Sequence, residues 1–216
     1  MNILAPFRRR HFALASLLLS ALATMGQTTE IVRTIGPTQF DLVSVPLLTA
    51  SNNQFAVMTT NVPNFSSAYF FDAQTTNFIS AQKSGKGLWS AEAATRIILP
   101  GESFFLKSSP IANCEITLKG TAPLSPVTQP VNERWSALGY PYPEDIPWTH
   151  TTLASNLPVG TLVYFWSRNT QQFQTFLKGS PAKGGWGAAA SNFVIHPGDG
   201  FFVRQPPGST PFTWTE

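Results

Sequence analysis

The stretch Tyr140-Pro141-Tyr142-Pro143-Glu144-Asp145-Ile146-Pro147-Trp148-Thr149-His150 holds the most varied chemistry in this 216-residue chain. Rings beside carboxylates suit contact with a sugar or an extended peptide: the rings cover apolar faces and the carboxylates accept hydrogen bonds. Tyr140, Tyr142, Glu144, Asp145, Trp148 and His150 are therefore the candidate ligand-binding set. The competing reading is a proline-stiffened loop whose aromatics close the end of a core. Catalysis has no comparable concentration of groups. Apart from His11 the histidines are His150 and His196, and there is no His-Glu-x-x-His, Gly-x-Ser-x-Gly, Cys/His metal spacing or phosphate-binding glycine loop. The expectation is a non-enzymatic protein with no catalytic residues, no metal and no cofactor. Glu102 and Asp199 each lie one residue past a Pro-Gly pair, where a carboxylate caps the turn; the oxygen-rich spacing of a calcium loop is missing. His196 stands where the first copy has Leu99 and reads as a strand-end packing residue.

The elements that position these residues come in duplicate. Phe40, Pro46, Tyr69, Phe78 and Lys83 match Trp135, Pro141, Tyr164, Phe173 and Lys178 at one constant spacing. After two extra residues in the second glycine loop, Lys86, Trp89, Pro100-Gly101 and Phe104-Phe105 match Lys183, Trp186, Pro197-Gly198 and Phe201-Phe202. Each copy reads as about six short strands. A strand begins near Phe40, and 55–60 (matched by 151–155) suggests a short helical turn. Strands 67–71 and 76–81 form a hairpin through Asp72-Ala73-Gln74-Thr75, repeated as 162–166 and 171–177 through Ser167-Arg168-Asn169-Thr170. Strands are also expected at 96–99 and 192–195, each ending in a Pro-Gly type II turn, then at 103–107 and 200–204, and finally at 114–119 and 211–215.

Tyr69-Phe70-Phe71 and Val163-Tyr164-Phe165-Trp166 are apolar on both faces of a strand. Such strands need cover on two sides, which predicts two repeats packed together about a pseudo-twofold axis. The fold class expected is all-β, with two tandem homologous repeats as small barrels or sandwiches: 27–120, a proline-rich connection at 121–133, and 134–216. Val127-Thr128-Gln129 lines up with Val32-Arg33-Thr34, so part of that connection can open the second copy. Trp89 and Trp186, kept in register, read as core anchors.

Residues 1–26 read as a signal peptide: Arg8-Arg9-Arg10 precede an apolar run from Phe12 to about Met25, with small residues at Ala21-Leu22-Ala23. The run is shorter than the roughly 20 residues of a bilayer-spanning helix, so no membrane span is expected after cleavage. Arg9-Arg10-His11-Phe12 also resembles a twin-arginine signal. Of the 14 Lys and Arg, three lie in this leader, while all 11 acidic residues lie beyond it. The remainder carries no net charge, which speaks against nucleic acid or an anionic membrane as partner. The lone Cys114 cannot close an intrachain disulfide and reads as a buried structural thiol.

The order Val43-Ser44-Val45-Pro46-Leu47, Tyr69-Phe70-Phe71, Trp89 and Leu99-Pro100-Gly101-Glu102-Ser103-Phe104-Phe105 resembles a class of exported bacterial tandem β-repeat proteins. In these, Asn-Pro-Leu, Val-Tyr-x-Trp, a lone Trp and Leu-x-Pro-Gly-x-Gly-Phe-Phe recur. The second copy is nearer, with Tyr164-Phe165-Trp166 and Pro197-Gly198-Asp199-Gly200-Phe201-Phe202; the first has Phe71 for the Trp and Ser103 for the Gly. The resemblance implies export and a duplicated β fold, and brings no activity with it. The function expected is a structural or adhesive role in the cell envelope or extracellular matrix (periplasmic, cell-surface or extracellular). Its partner would be another copy of itself or an extracellular polymer. The alternative is a carbohydrate- or peptide-binding module using Tyr140 to His150.

Overall fold

Short apolar-polar runs punctuated by Pro, Gly and Asn leave little room for long helices, and the described residues fold as small antiparallel sheets with four short α-helices. The computed structural model describes residues 28–216 except Gly184; the signal peptide expected at 1–26 lies outside the described residues.

The first half contains β1 (Thr28–Ile35), β2 (Phe40–Ser44), β3 (Leu48–Thr49), α1 (Phe55–Met58), β4 (Ser67–Asp72), β5 (Asn77–Gln82), α2 (Ala91–Ala94), β6 (Ser103–Lys107) and β7 (Cys114–Thr121). Its four-stranded sheet runs β2-β6-β4-β5, and β1-β7-β3 form a second sheet. The second half contains β8 (Thr128–Val131), β9 (Trp135–Gly139), β10 (Ile146–Pro147), α3 (Thr152–Asn156), β11 (Leu162–Ser167), β12 (Gln172–Leu177), α4 (Gly187–Ser191), β13 (Val194–Ile195), β14 (Gly200–Arg204) and β15 (Phe212–Thr215). Here the four-stranded sheet runs β9-β14-β11-β12, beside the pairs β8-β15 and β10-β13. Among the described residues no helix is long and apolar enough to cross a membrane.

The β4–β5 hairpin is held at its tip by Asp72, whose carboxylate accepts from Gln74 N (3.0 Å) and Thr75 Oγ1 (2.8 Å). Ser167 Oγ accepts from Thr170 N (3.3 Å) in the β11–β12 turn. Each half has its own core. In the first, Phe55 stands edge-on to Phe70, Trp89 and Phe104 with centroids 5.0–5.1 Å away. An ammonium closes the end of α1 and another the end of α3. Lys83 Nζ donates to the carbonyls of Thr59 (3.3 Å), Thr60 (2.7 Å) and Val62 (2.7 Å), and Lys178 Nζ to those of Ala154, Ser155 and Leu157 (2.8, 2.9 and 2.6 Å). These carbonyls have no intrahelical partner, and the negative end of the helix favours a cation there. Burial pulls both ammonium groups below their ordinary pKa.

The halves meet along β2 and β9. Ser44 N donates to Gly198 O (2.8 Å) and Gly139 N to Gly101 O (2.9 Å), while Val43 bridges Asp199 and Leu138 bridges Glu102. The approach is close enough that a Cβ on Gly139 would lie 2.1 Å from Ser44 Cβ. Gly101 and Gly198, at φ +88° and +85°, supply the left-handed residue of the expected Pro-Gly turns. Arg33 of β1 is buried, forks onto both oxygens of Asp41, and reaches across to Asp199 Oδ1 (2.8 Å). Burial by itself would lower its pKa, but the two carboxylates outweigh that and raise it.

Some sequence expectations need correction. Residues 96–99 do not form a strand; Ile97 makes a single bridge to Gln54, because the preceding residues coil into α2. Ala91-Glu92-Ala93-Ala94 and the alanine-rich α4 favour helix, a signal that the sequence reading left unassigned. Within the connection at 121–133, Thr128–Val131 pairs with β15, in line with the match of Val127-Thr128-Gln129 to Val32-Arg33-Thr34; Pro130 is accommodated on this two-stranded ribbon.

Candidate functional site

Trp148 is the correction that matters most for the proline-rich loop. It is 0% exposed and packs against Phe165, Trp186 and Phe201 at 5.4, 5.1 and 5.6 Å. Those are the counterparts of the three rings around Phe55, so Trp148 fills the second core as Phe55 fills the first. The indole has no free face for a ligand. A short 3-10 turn, Trp148–His150, carries it inward and leaves His150 exposed. Tyr140 is buried too; its hydroxyl donates to Glu144 Oε1 (3.3 Å), and burial pushes the phenol pKa up. Tyr142 stands edge-on to Tyr140 (5.7 Å) and donates to the Glu216 carbonyl (2.8 Å). Asp145 pairs with His196 Nδ1 (2.9 Å), both side chains more than half exposed. The candidate set is thus divided: Tyr140, Tyr142 and Glu144 knit the loop to the chain end, Asp145 finds His196, and Trp148 belongs to the core.

A second surface is richer in rings. Side chains at alternate positions of the four-stranded sheets point away from the two cores and meet one another. Phe71 and Phe202 lie 5.4 Å apart, Phe105 and Trp166 5.4 Å, and Phe105 and Phe202 6.0 Å. Gln171 clamps the layer at one side, accepting from Phe40 N (2.8 Å) and donating to Phe40 O (3.0 Å), which also receives Trp166 Nε1 (3.1 Å). Phe70 and Phe165, on the opposite faces of β4 and β11, are buried in their own cores. Tyr69-Phe70-Phe71 and Tyr164-Phe165-Trp166 are therefore covered on both sides, but the ring layer is not sealed. Phe78 remains 46% and Phe173 40% exposed.

Two grooves open on the flanks of this layer. One, about 450 Å³, lies between Phe71 and Phe78 of the first sheet and Trp135, Tyr164 and Phe202 of the second. The other, about 360 Å³, lies among Phe40, Tyr69, Phe105 and Trp166. Lys107 Nζ sits 5.1 Å above Phe40 and the Arg204 guanidinium 5.5 Å above Trp135, each a cation over an aromatic face. No carboxylate, imidazole or thiol lines either groove. Such walls hold apolar matter by contact; they offer nothing to take up or deliver a proton near neutral pH.

The sequence reading marked several of these rings as needing cover on a second face but did not see that the cover would be incomplete. The available signal was that Phe78 and Phe173 recur on short strands outside the main apolar runs. Among the described residues no cluster of three or more His, Cys, Asp and Glu is placed to hold a metal ion. The chain matches no family model, no curated protein and no solved structure.

Proposed function

We propose that this is an exported, non-catalytic β-protein with a structural or adhesive role in the cell envelope or extracellular matrix. In this reading two homologous repeats pack about a pseudo-twofold axis. Reciprocity supports the repeat: the bond from Ser44 to Gly198 has its counterpart in Gly139 to Gly101, and the two four-stranded sheets follow one strand order. The resemblance to exported tandem β-repeat proteins accords with a leader at 1–26.

The half-open ring layer carries the adhesive reading. It is apolar, continuous across both sheets, and free of groups suited to acid–base or nucleophilic chemistry. The loop alternative, sugar or peptide held by Tyr140 to His150, loses its main platform with Trp148 buried.

Co-sedimentation of the chain lacking residues 1–26 with insoluble envelope and matrix material tests the proposal. The double variant Phe78→Ser/Phe173→Ser should be retained roughly tenfold less than the wild type, the equivalent of about 1.4 kcal/mol. Tyr142→Ala/Asp145→Ala should leave retention unchanged. Equal retention of the ring variant, or loss confined to the loop variant, overturns the assignment.

A further inference from the structure

The outer edges of β5 and β12 have no partner strand among the described residues, since each ends its four-stranded sheet. Their direction of pairing can be read from the neighbouring bonds. Lys83 exchanges bonds with Phe65 and Ser66 on the β4 side, and Gln82 gives its carbonyl to Ser90 N (3.1 Å) on the other. With a two-residue period, the backbone groups of Phe78 and Ser80 point outward. In β12, Lys178 exchanges bonds with Gly160 and Thr161, so those of Phe173, Thr175 and Leu177 point outward.

What sets these edges apart is the lack of any blocking device. Exposed strand edges are ordinarily blunted by charge, proline, shortness or cover. The other edges here follow that rule. β1 carries Glu30 and Arg33, β3, β10 and β13 are two residues long, β8 contains Pro130, β15 is four residues long and gives its Thr215 carbonyl to Thr152 Oγ1 (2.7 Å), and β2 and β9 each bridge the opposite half. Asn77-Phe78-Ile79-Ser80-Ala81-Gln82 and Gln172-Phe173-Gln174-Thr175-Phe176-Leu177 contain no charged residue and no proline. Both are six residues long, both are exposed at five of the six, and each carries a half-exposed Phe. Residues 28–216 have equal numbers of acidic and basic groups, so no net charge keeps copies apart.

We propose that β5 and β12 are assembly edges that pair with the same edges of further copies of this chain, extending its sheets from one molecule to the next. The occupant follows from the surface: a row of outward N–H and C=O groups is completed by another bare strand of equal length, and the chain supplies two. With two such edges per molecule the product is a linear chain rather than a closed dimer. This rests on the structural or adhesive reading above, but concerns the strand edges and not the ring grooves.

Sedimentation velocity on the protein lacking residues 1–26, over a broad concentration range, tests it. Wild type should grow past the dimer as concentration rises. Ser80→Pro removes one outward donor without touching the ladder to β4, so it should stop growth at dimers; Ser80→Pro/Thr175→Pro should remain monomeric. Should the proline variants fail to fold, by their circular dichroism, Ile79→Lys/Gln174→Lys puts a charge beside each edge on the face away from the ring grooves and should weaken association roughly tenfold or more. A monomeric wild type, or blocked variants that associate as the wild type does, overturns the proposal. Either result leaves the ring-face reading standing, because that is decided by retention of the Phe78/Phe173 variant.

Discussion

Replacing Lys83 by Met keeps the length of the side chain and deletes the charge that closes α1. Of the three carbonyls it serves, those of Thr59 and Val62 belong to buried residues, while Thr60 is exposed and can turn to water. The Thr59 carbonyl keeps its bond from Val62 N (3.1 Å), so the loss falls on the Val62 carbonyl; stranding a buried polar group costs about 1–3 kcal/mol, and Lys83→Met should destabilise by about that much. Lys178 is less buried and one of its three carbonyls is on the exposed Ser155, so Lys178→Met should cost about 1–2 kcal/mol. Equilibrium urea unfolding followed by tryptophan fluorescence reads both, at roughly 1–3 kcal/mol per molar for the slope. A Lys83→Met midpoint indistinguishable from wild type, or a larger loss at Lys178, would show that these ammonium groups do not hold the helix ends together.

Gly139→Ala should cost at least about 2 kcal/mol, because the new methyl meets Ser44 Cβ where the two sheets touch and neither backbone can retreat without breaking the 2.9 Å bond to Gly101. Thermal unfolding checks it, with Gly208→Ala, which meets nothing within 4 Å but is strained by its positive φ, as the comparison for backbone strain alone. Burial pushes the Cys114 thiol up to about 12. The native protein should therefore be silent to a disulfide reagent near pH 8 and react only on denaturation. The thiol's contribution to stability is complete below its ordinary value of 9.0 and is lost as pH rises through about 12, so Cys114→Ser should remove that alkaline leg from the difference in unfolding free energy.

The strands of the two four-stranded sheets, and β7, were legible because their signals are local. Pro-Gly turns, Asp72 at a hairpin tip and alternation along 114–118 each act within a few residues of themselves. Helices α1 and α3 fall where a short helical turn was expected, whereas α2 and α4, four and five residues long and set beside glycine-rich turns, were not visible. Trp148 shows a different limit. Prolines and acids around it suggest a surface loop, yet a single 3-10 turn rotates its side chain inward, and only the distant rings of Phe165, Trp186 and Phe201 explain why. The seam between the sheets was out of reach for the same reason. Nothing adjacent to Gly139 in sequence announces that Ser44 will press against it.

The seam has a consequence for how the polypeptide can be divided. Arg33 and Asp199, Ser44 and Gly198, and Gly139 and Gly101 are joined across space, while the peptide at Ala122-Pro123-Leu124, ahead of the bonds that tie Ser125 to Tyr142 and Val127 to Glu216, serves as a tether. A nick there should leave two fragments that find each other without being covalently linked. Either piece could then serve as bait for the other, and a reporter split at that point would light up only where both are produced.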